Sequence, residues 1–251
     1  MKKLMSKFHF RSIYKTIVFT LILCFVYNVA YLMMSASSMN VYVRQSLEVG
    51  LSLLSSIGFY FICTKIWKKK NFSFQAIFKV LLLQAIYILI VSGILTNLVN
   101  VCSKNTSLML VLQLVSAFFL VVMVPFQLIF YYGLIHDKNL KEFIPTAIKK
   151  HQKSMLNWYC TLLICIVVLD TMTGGLFSAA QGFNAQSILA GSMYMGNPMI
   201  SWMMYLFLGV SFQSSLAAMF TYLFMNFLVG FLYCVLELNY VSYVGSLLDA
   251  D

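Results

Sequence analysis

Residues 108–132 read LMLVLQLVSAFFLVVMVPFQLIFYY, a run of 25 without Asp, Glu, Lys or Arg. About 20 apolar residues in a helix cross the roughly 30 Å hydrocarbon core of a bilayer, so this stretch has the length and character of a membrane span. Pro125 within it removes one backbone hydrogen bond and crowds the preceding turn, which predicts a kink toward the cytoplasmic half. Upstream lie three comparable runs: Thr16 to Ser35, Val49 to Trp67 with Lys65 able to snorkel from its end, and Val80 to Leu98. A fifth, about Met155 to Thr173, is apolar without interruption only from Trp158 to Leu169.

The last third needs division. Gly174 to Pro198 is small, polar and Gly-rich, whereas Met199 to Leu238 carries 40 residues with one charge, Glu237. One helix of that length would reach about 60 Å, twice the core thickness. The polar cluster Ser211, Gln213, Ser214 and Ser215 splits it into a half-length apolar element, Met199 to Val210, and a normal span, Leu216 to Leu236. The reading is an all-α integral membrane protein, one polytopic domain over 1–251. It has about six transmembrane helices, interfacial amphipathic segments and one half-length apolar element before the last span.

Composition argues the same way. Of the 251 residues, 61% are apolar, 16% aromatic and only 10% charged, and mean hydropathy is +0.87. An ordinary soluble domain carries about a quarter charged residues, and so few cannot cover a water-exposed surface. No stretch outside the apolar runs is long enough to build a separate catalytic core.

Charge sets the orientation. Lys and Arg fall in three clusters of five: Lys2, Lys3, Lys7, Arg11, Lys15; Lys65, Lys68, Lys69, Lys70, Lys79; and Lys138, Lys141, Lys149, Lys150, Lys153. All three lie on one side of the spans and leave only Arg44 and Lys104 opposite, so the positive-inside rule places the N-terminus and both basic loops in the cytoplasm. The first run is too long for a cleaved signal peptide and reads as a signal anchor. The net charge of +10 reflects this topology rather than nucleic-acid binding. Lys68, Lys69, Lys70, Lys149, Lys150 and Lys153 abut spans and are placed to meet anionic headgroups, at about 1 kcal/mol each. The tail from Asn239 to Asp251 has no Lys or Arg, so six spans put it inside and seven outside.

Leu140, Phe143, Ile144, Ala147 and Ile148 repeat with helical period while the lysines around them fall largely elsewhere on the wheel. This pattern predicts a membrane-surface helix that anchors the loop or docks a soluble partner. Asn139 is placed to cap it, and Pro145 predicts a break or a first-turn position.

The chemistry present is sparse. His9, His136 and His151 lie in cytoplasmic segments and form no ligand pattern, and the six cysteines show no C-x-x-C pair and read as packing residues, so no metal or cofactor is expected. Nucleophile elbows, zincin helices, phosphate-binding loops and paired intramembrane aspartates are all missing, which points away from an enzyme. Asp170 lies about 22 Å along a helix from Met155, so it is either a terminal residue at the outer headgroups or a functional intramembrane acid. Ser211, Gln213 and Ser214 either join helices or line a pathway, and with Asp170 they form the candidate intramembrane polar site.

Three segments carry a family likeness. The run ending Tyr131-Tyr132-Gly133-Leu134, the loop Phe143-Ile144-Pro145-Thr146-Ala147-Ile148-Lys149-Lys150 and the closing Leu232-Tyr233-Cys234-Val235-Leu236-Glu237 resemble the multipass membrane domain attached to some bacterial glycerophosphodiester phosphodiesterases and found alone in related membrane proteins. The resemblance runs from about residue 125 onward and implies six helices and a cytoplasmic N-terminus. Phosphodiesterase chemistry in that group belongs to a separate soluble domain, so no catalytic residue carries over. The functional expectation is a non-enzymatic bacterial inner-membrane component, an accessory or scaffold contacting membrane lipids and a soluble or membrane partner. The alternative is a small-molecule or lipid transporter with its site near Asp170 and Gln213.

Overall fold

The computed structural model describes residues 16–20, 22, 33, 39–69, 73–102, 106–172 and 235–250. These residues are helical apart from turns and connections, with no strand among them. Four long helices follow one another: α1 (Val41–Ile66), α2 (Phe74–Cys102), α3 (Thr106–Ile135) and α4 (Leu140–Met172). A further helical segment, α5, covers 235–248. The connections 67–73, 103–105 and 136–139 are short, which makes consecutive helices antiparallel neighbours. Accordingly α1 packs on α2, α2 on α3, α3 on α4, and α1 also on α3.

Each helix overruns the apolar stretch that predicted it. The four contain 26, 29, 30 and 33 residues, or about 39 to 50 Å of rise. Polar ends make the extension possible. Asn40 caps α1, its side-chain oxygen accepting the Tyr42 N–H at 3.0 Å, so the helix starts well before Val49. At the other end the Trp67 N–H reaches the Cys63 carbonyl at 2.9 Å. Lys68 then turns the chain with φ 56°. The C-terminus of α3 closes similarly. Asp137 at φ 52° lets Lys138 N–H reach the Gly133 carbonyl at 2.9 Å and its own N–H reach that of Leu134 at 3.4 Å, the paired bonds of a left-handed helix cap. Among the described side chains, Tyr42–Ile66 is long and apolar enough to cross a membrane; Phe74–Ile90 and Val122–Ile135 are shorter apolar stretches.

The predicted break at Pro145 does not occur. α4 is one helix with Pro145 as its sixth residue, where the proline removes the backbone bond to Lys141 and crowds that carbonyl without ending the helix. Asn139 stands at its start as expected: its carbonyl accepts from Glu142 and Phe143 N–H at 3.1 and 2.8 Å, and its amide donates to the Glu142 carboxylate at 3.0 Å. The apolar face read as interfacial is turned inward, because Leu140, Phe143, Ile144 and Ile148 pack against the buried core. Pro125 likewise sits inside α3, which continues through it as one helix.

Two glycines test this packing. A Cβ at Gly245 would lie 2.2 Å from Trp67 Nε1, whereas one at Gly50 would meet nothing within 4 Å. Gly50→Ala is expected to raise stability by up to about 1 kcal/mol. Gly245→Ala must displace the indole and should lower it by about 1–3 kcal/mol. Thermal unfolding followed by circular dichroism in detergent checks the pair; equal effects would contradict the packing described.

Candidate functional site at the lysine-rich end

Five segments converge at one end of the bundle. Trp67, just past α1, donates its indole N–H to the Val241 carbonyl of α5 at 3.0 Å. Its ring lies against Gly245, where only a missing Cβ allows the approach. Tyr132, one turn from the end of α3, packs edge-on to Trp67 with centroids 5.3 Å apart and stacks with Phe143 of α4 at 5.8 Å. From the N-terminal side, Ile17 belongs to the same core, and the Lys65 ammonium sits 3.6 Å over the Phe19 ring, a cation–π contact.

Tyr132 also holds the polar part of the site. Its hydroxyl donates to Asp249 Oδ1 at 2.5 Å. The His136 ring stacks on it at 3.9 Å and 16°, and His136 Nε2 lies 3.9 Å from that same Asp249 oxygen. His136 Nδ1 is 3.1 Å from the Tyr132 carbonyl. A carbonyl only accepts, so Nδ1 is the donor in this contact. Burial pushes the His136 pKa below its ordinary value; Lys69 and Lys138 add to this, while the Tyr132 carbonyl and Asp249 oppose it.

A second set of contacts lays α5 along α4. Tyr240 donates its hydroxyl to the Met155 carbonyl at 3.2 Å, and its ring meets Tyr159 at 5.2 Å. Trp158 and Tyr243 pack at 5.9 Å. Residues 235–250 therefore stand at the same end as the 67–73 and 136–139 connections.

Deeper in the bundle α1 turns a polar seam inward. Ser52, Ser55, Ser56, Tyr60, Cys63 and Thr64, spaced three and four apart, are all buried. Ser55, Ser56 and Thr64 donate to carbonyls of their own helix at 2.7 Å. Gln84 of α2 crosses to Ser52 Oγ at 3.2 Å. On α3, Gln127 donates to the Tyr131 hydroxyl at 2.8 Å, while its side-chain carbonyl is buried with no hydrogen-bond partner.

No family model, curated protein or solved structure matches this chain.

Of the sequence candidates, Lys68 and Lys69 are exposed immediately after α1, and Lys149, Lys150 and Lys153 are exposed on α4. Lys70 lies outside the described residues, as do Ser211, Gln213 and Ser214. Asp170 falls two residues before the end of α4, and its side chain lies outside those described. Among the described residues no group of three or more His, Cys, Asp or Glu side chains gathers to hold a metal. Sequence reading missed Trp67, Tyr132, Gly245 and Asp249, because the contacts that unite them span 117 and 174 residues and leave no local pattern.

The His136 shift carries a pH prediction. Its folded pKa is depressed, so the unfolded chain binds the proton more readily. The neutral ring's contribution is complete above about pH 6.5, the ordinary histidine value. It is lost as pH falls through the lower folded value. The unfolding midpoint should drop on acidification from neutral pH, and His136→Gln should flatten part of that drop; an unchanged pH profile in the variant would contradict the assignment.

Proposed function

We propose that this chain is a non-enzymatic multipass protein of a bacterial inner membrane. It acts as an accessory or scaffold component whose lysine-rich cytoplasmic end meets anionic headgroups and a protein partner. The observation that carries this reading is inverted polarity. Inside the α1–α2 pair Ser56 is 0% and Gln84 2% exposed, whereas Leu54 is 64%, Phe78 57% and Leu89 71% exposed on the outside. Phe74, Phe78, Leu82, Ile86 and Leu89 form one stripe along the outer face of α2. In water such a stripe would be driven to bury itself. In lipid it is the solvated face, and polar side chains turn inward to join helices.

The ends support the orientation. Trp67 is followed at once by exposed Lys68 and Lys69, the order of an aromatic belt and its cytoplasmic charges. The contacts of α5 with Trp67 and Tyr132 support a C-terminal tail on the side of the basic loops, which an even number of crossings requires. Six spans, with both ends cytoplasmic, fit this arrangement.

A second reading, a small-molecule or lipid transporter with Asp170 and Gln213 at its site, is favoured by one feature. The unpartnered Gln127 carbonyl is a costly buried acceptor that a water or a polar solute would satisfy.

Membrane pellets washed with alkaline carbonate should retain the chain. A fluorescent reporter fused after Asp251 should be active, and an alkaline phosphatase fused there inactive. Release by carbonate, or an active phosphatase, would overturn the proposal. Altered solute flux in reconstituted vesicles carrying Gln127→Leu or Asp170→Asn, with insertion intact, would favour transport instead.

A further inference from the structure

Tyr131 and Gln127 form a polar pair on an otherwise apolar buried face of α3. Their neighbours on that helix, Val124 and Leu128, are buried aliphatics. Tyr60 of α1 meets the Tyr131 ring edge-on at 5.5 Å, and Phe59 lies at 5.9 Å. Gln127 Nε2 donates to the Tyr131 hydroxyl at 2.8 Å. That bond uses the hydroxyl as acceptor, and among the described residues nothing takes its own hydrogen. The Gln127 side-chain carbonyl is buried without a partner. The pair is therefore short of one acceptor and one donor. Turning the amide end for end would let Tyr131 donate to the carbonyl but leave the NH2 group unmatched, so a shortfall persists in either orientation.

Helix register fixes what stands opposite. α1 and α3 each pack antiparallel on α2 and also touch each other, so they run parallel. Four residues back from Tyr60 and Tyr131, on the same faces, are Ser56 and Gln127. These two therefore share a level about 6 Å from the tyrosine pair. Ser56 supplies no donor there, because its hydroxyl hydrogen goes to the Leu53 carbonyl at 2.7 Å. Its oxygen is left as an acceptor. One turn further back along α1, Ser52 accepts from Gln84 at 3.2 Å. Between the tyrosine pair and the Ser52–Gln84 bond lies a level with two acceptors, Ser56 Oγ and Gln127 Oε1, and the Tyr131 hydroxyl at its edge.

We propose that the Ser56–Gln127 level is a binding site for a hydroxyl group, supplied by an internal water or a small hydroxylated solute and held between Tyr131 as donor and Gln127 as acceptor. The unmatched groups select this chemistry. A ligand there must accept from the Tyr131 O–H and donate to the Gln127 carbonyl, with Ser56 Oγ as a second acceptor. An ammonium or metal cation satisfies the carbonyl and serine oxygens but cannot accept from the phenol. A carboxylate meets the phenol and leaves the carbonyl bare. A hydroxyl does both at once, and a buried water with these three partners makes the usual number of about three bonds. The site is built from α1 and α3 alone and goes beyond the scaffold reading without depending on it.

X-ray radiolysis of the full chain in nanodiscs, dialysed free of small solutes, tests the site. Hydroxyl radicals formed from a bound water label the side chains around it, and mass spectrometry reads the label. Tyr240 is the control, since it is equally buried but its hydroxyl is matched to the Met155 carbonyl. Tyr131 should label faster than Tyr240. Gln127→Met, close in volume and without the carbonyl, should bring Tyr131 down to the Tyr240 rate. Ser56→Ala, which removes only the second acceptor, should slow it in part and keeps the test open if the first variant does not fold. Added glycerol separates the sources: slower labelling of Tyr131 assigns the site to hydroxylated solutes and an unchanged rate assigns it to water, and both uphold the hydroxyl. Equal labelling of the two tyrosines in the unaltered chain, or labelling of Tyr131 that neither variant slows, would overturn the proposal. Protection of Tyr131 by ammonium chloride, and not by sodium chloride at the same ionic strength, would make this a cation site and overturn it as well.

Discussion

Gln84 reaches across to Ser52 at 3.2 Å in a bundle whose outer surface on the same two helices is Leu54, Leu82 and Ile86. That contact expresses the constraint from which the remaining architecture follows. In a solvent of hydrocarbon the side chains that need partners must find them inside, and the hydrophobic effect no longer holds helices together. Small hydroxyl residues let α1 approach its neighbours closely and satisfy themselves on their own carbonyls. Under the proposed bilayer reading, outer positions are then free to be as apolar as lipid tails. Helix lengths of 26 to 33 residues agree with the proposed bilayer reading, in which backbone groups stay bonded within the helix until water is reached.

At the lysine-rich end the construction changes to aromatic and charged contacts. Trp67, Tyr132 and Phe143 form a contiguous ring cluster, and its polar edges are used by α5: the indole N–H by Val241 and the phenol by Asp249. This ties the end of α1, the end of α3, the start of α4 and the tail into one unit, with the N-terminal residues added through Phe19 and Lys65. The unit is apolar and aromatic where it packs, and Lys68, Lys69, Lys138 and Lys141 are exposed around it.

Much of this was readable from local pattern. Val49 to Trp67 lies within α1 but for its capping residue, Val80 to Leu98 lies within α2, and Leu108 to Tyr132 lies within α3. Asn139 marked the start of α4, and the periodicity of Leu140, Phe143, Ile144, Ala147 and Ile148 identified the apolar face correctly. What covers that face was misread as lipid, because periodicity shows which side is apolar and never what it meets. The helix overhangs were hidden by polar residues that caps tolerate. The node at Tyr132 depends on a glycine, a tryptophan and an aspartate that carry no meaning until folding brings them together. Lys68, Lys69, Lys149, Lys150 and Lys153, singled out from charge as headgroup contacts, are exposed, while Asp170, Ser211, Gln213 and Ser214 were singled out for polarity in an apolar context and their side chains lie outside the described residues.

Spin labels placed singly at Phe78, Leu82 and Ile86 on the outer stripe of α2, in the chain reconstituted into bilayers, test the inverted polarity most directly. Collision with dissolved oxygen should be frequent and collision with a water-soluble nickel chelate rare at all three, with the ratio rising from Phe78 toward Ile86 as depth increases. Ready access of the nickel chelate to Leu82 and Ile86 would mean that water bathes this face, and the account would fail.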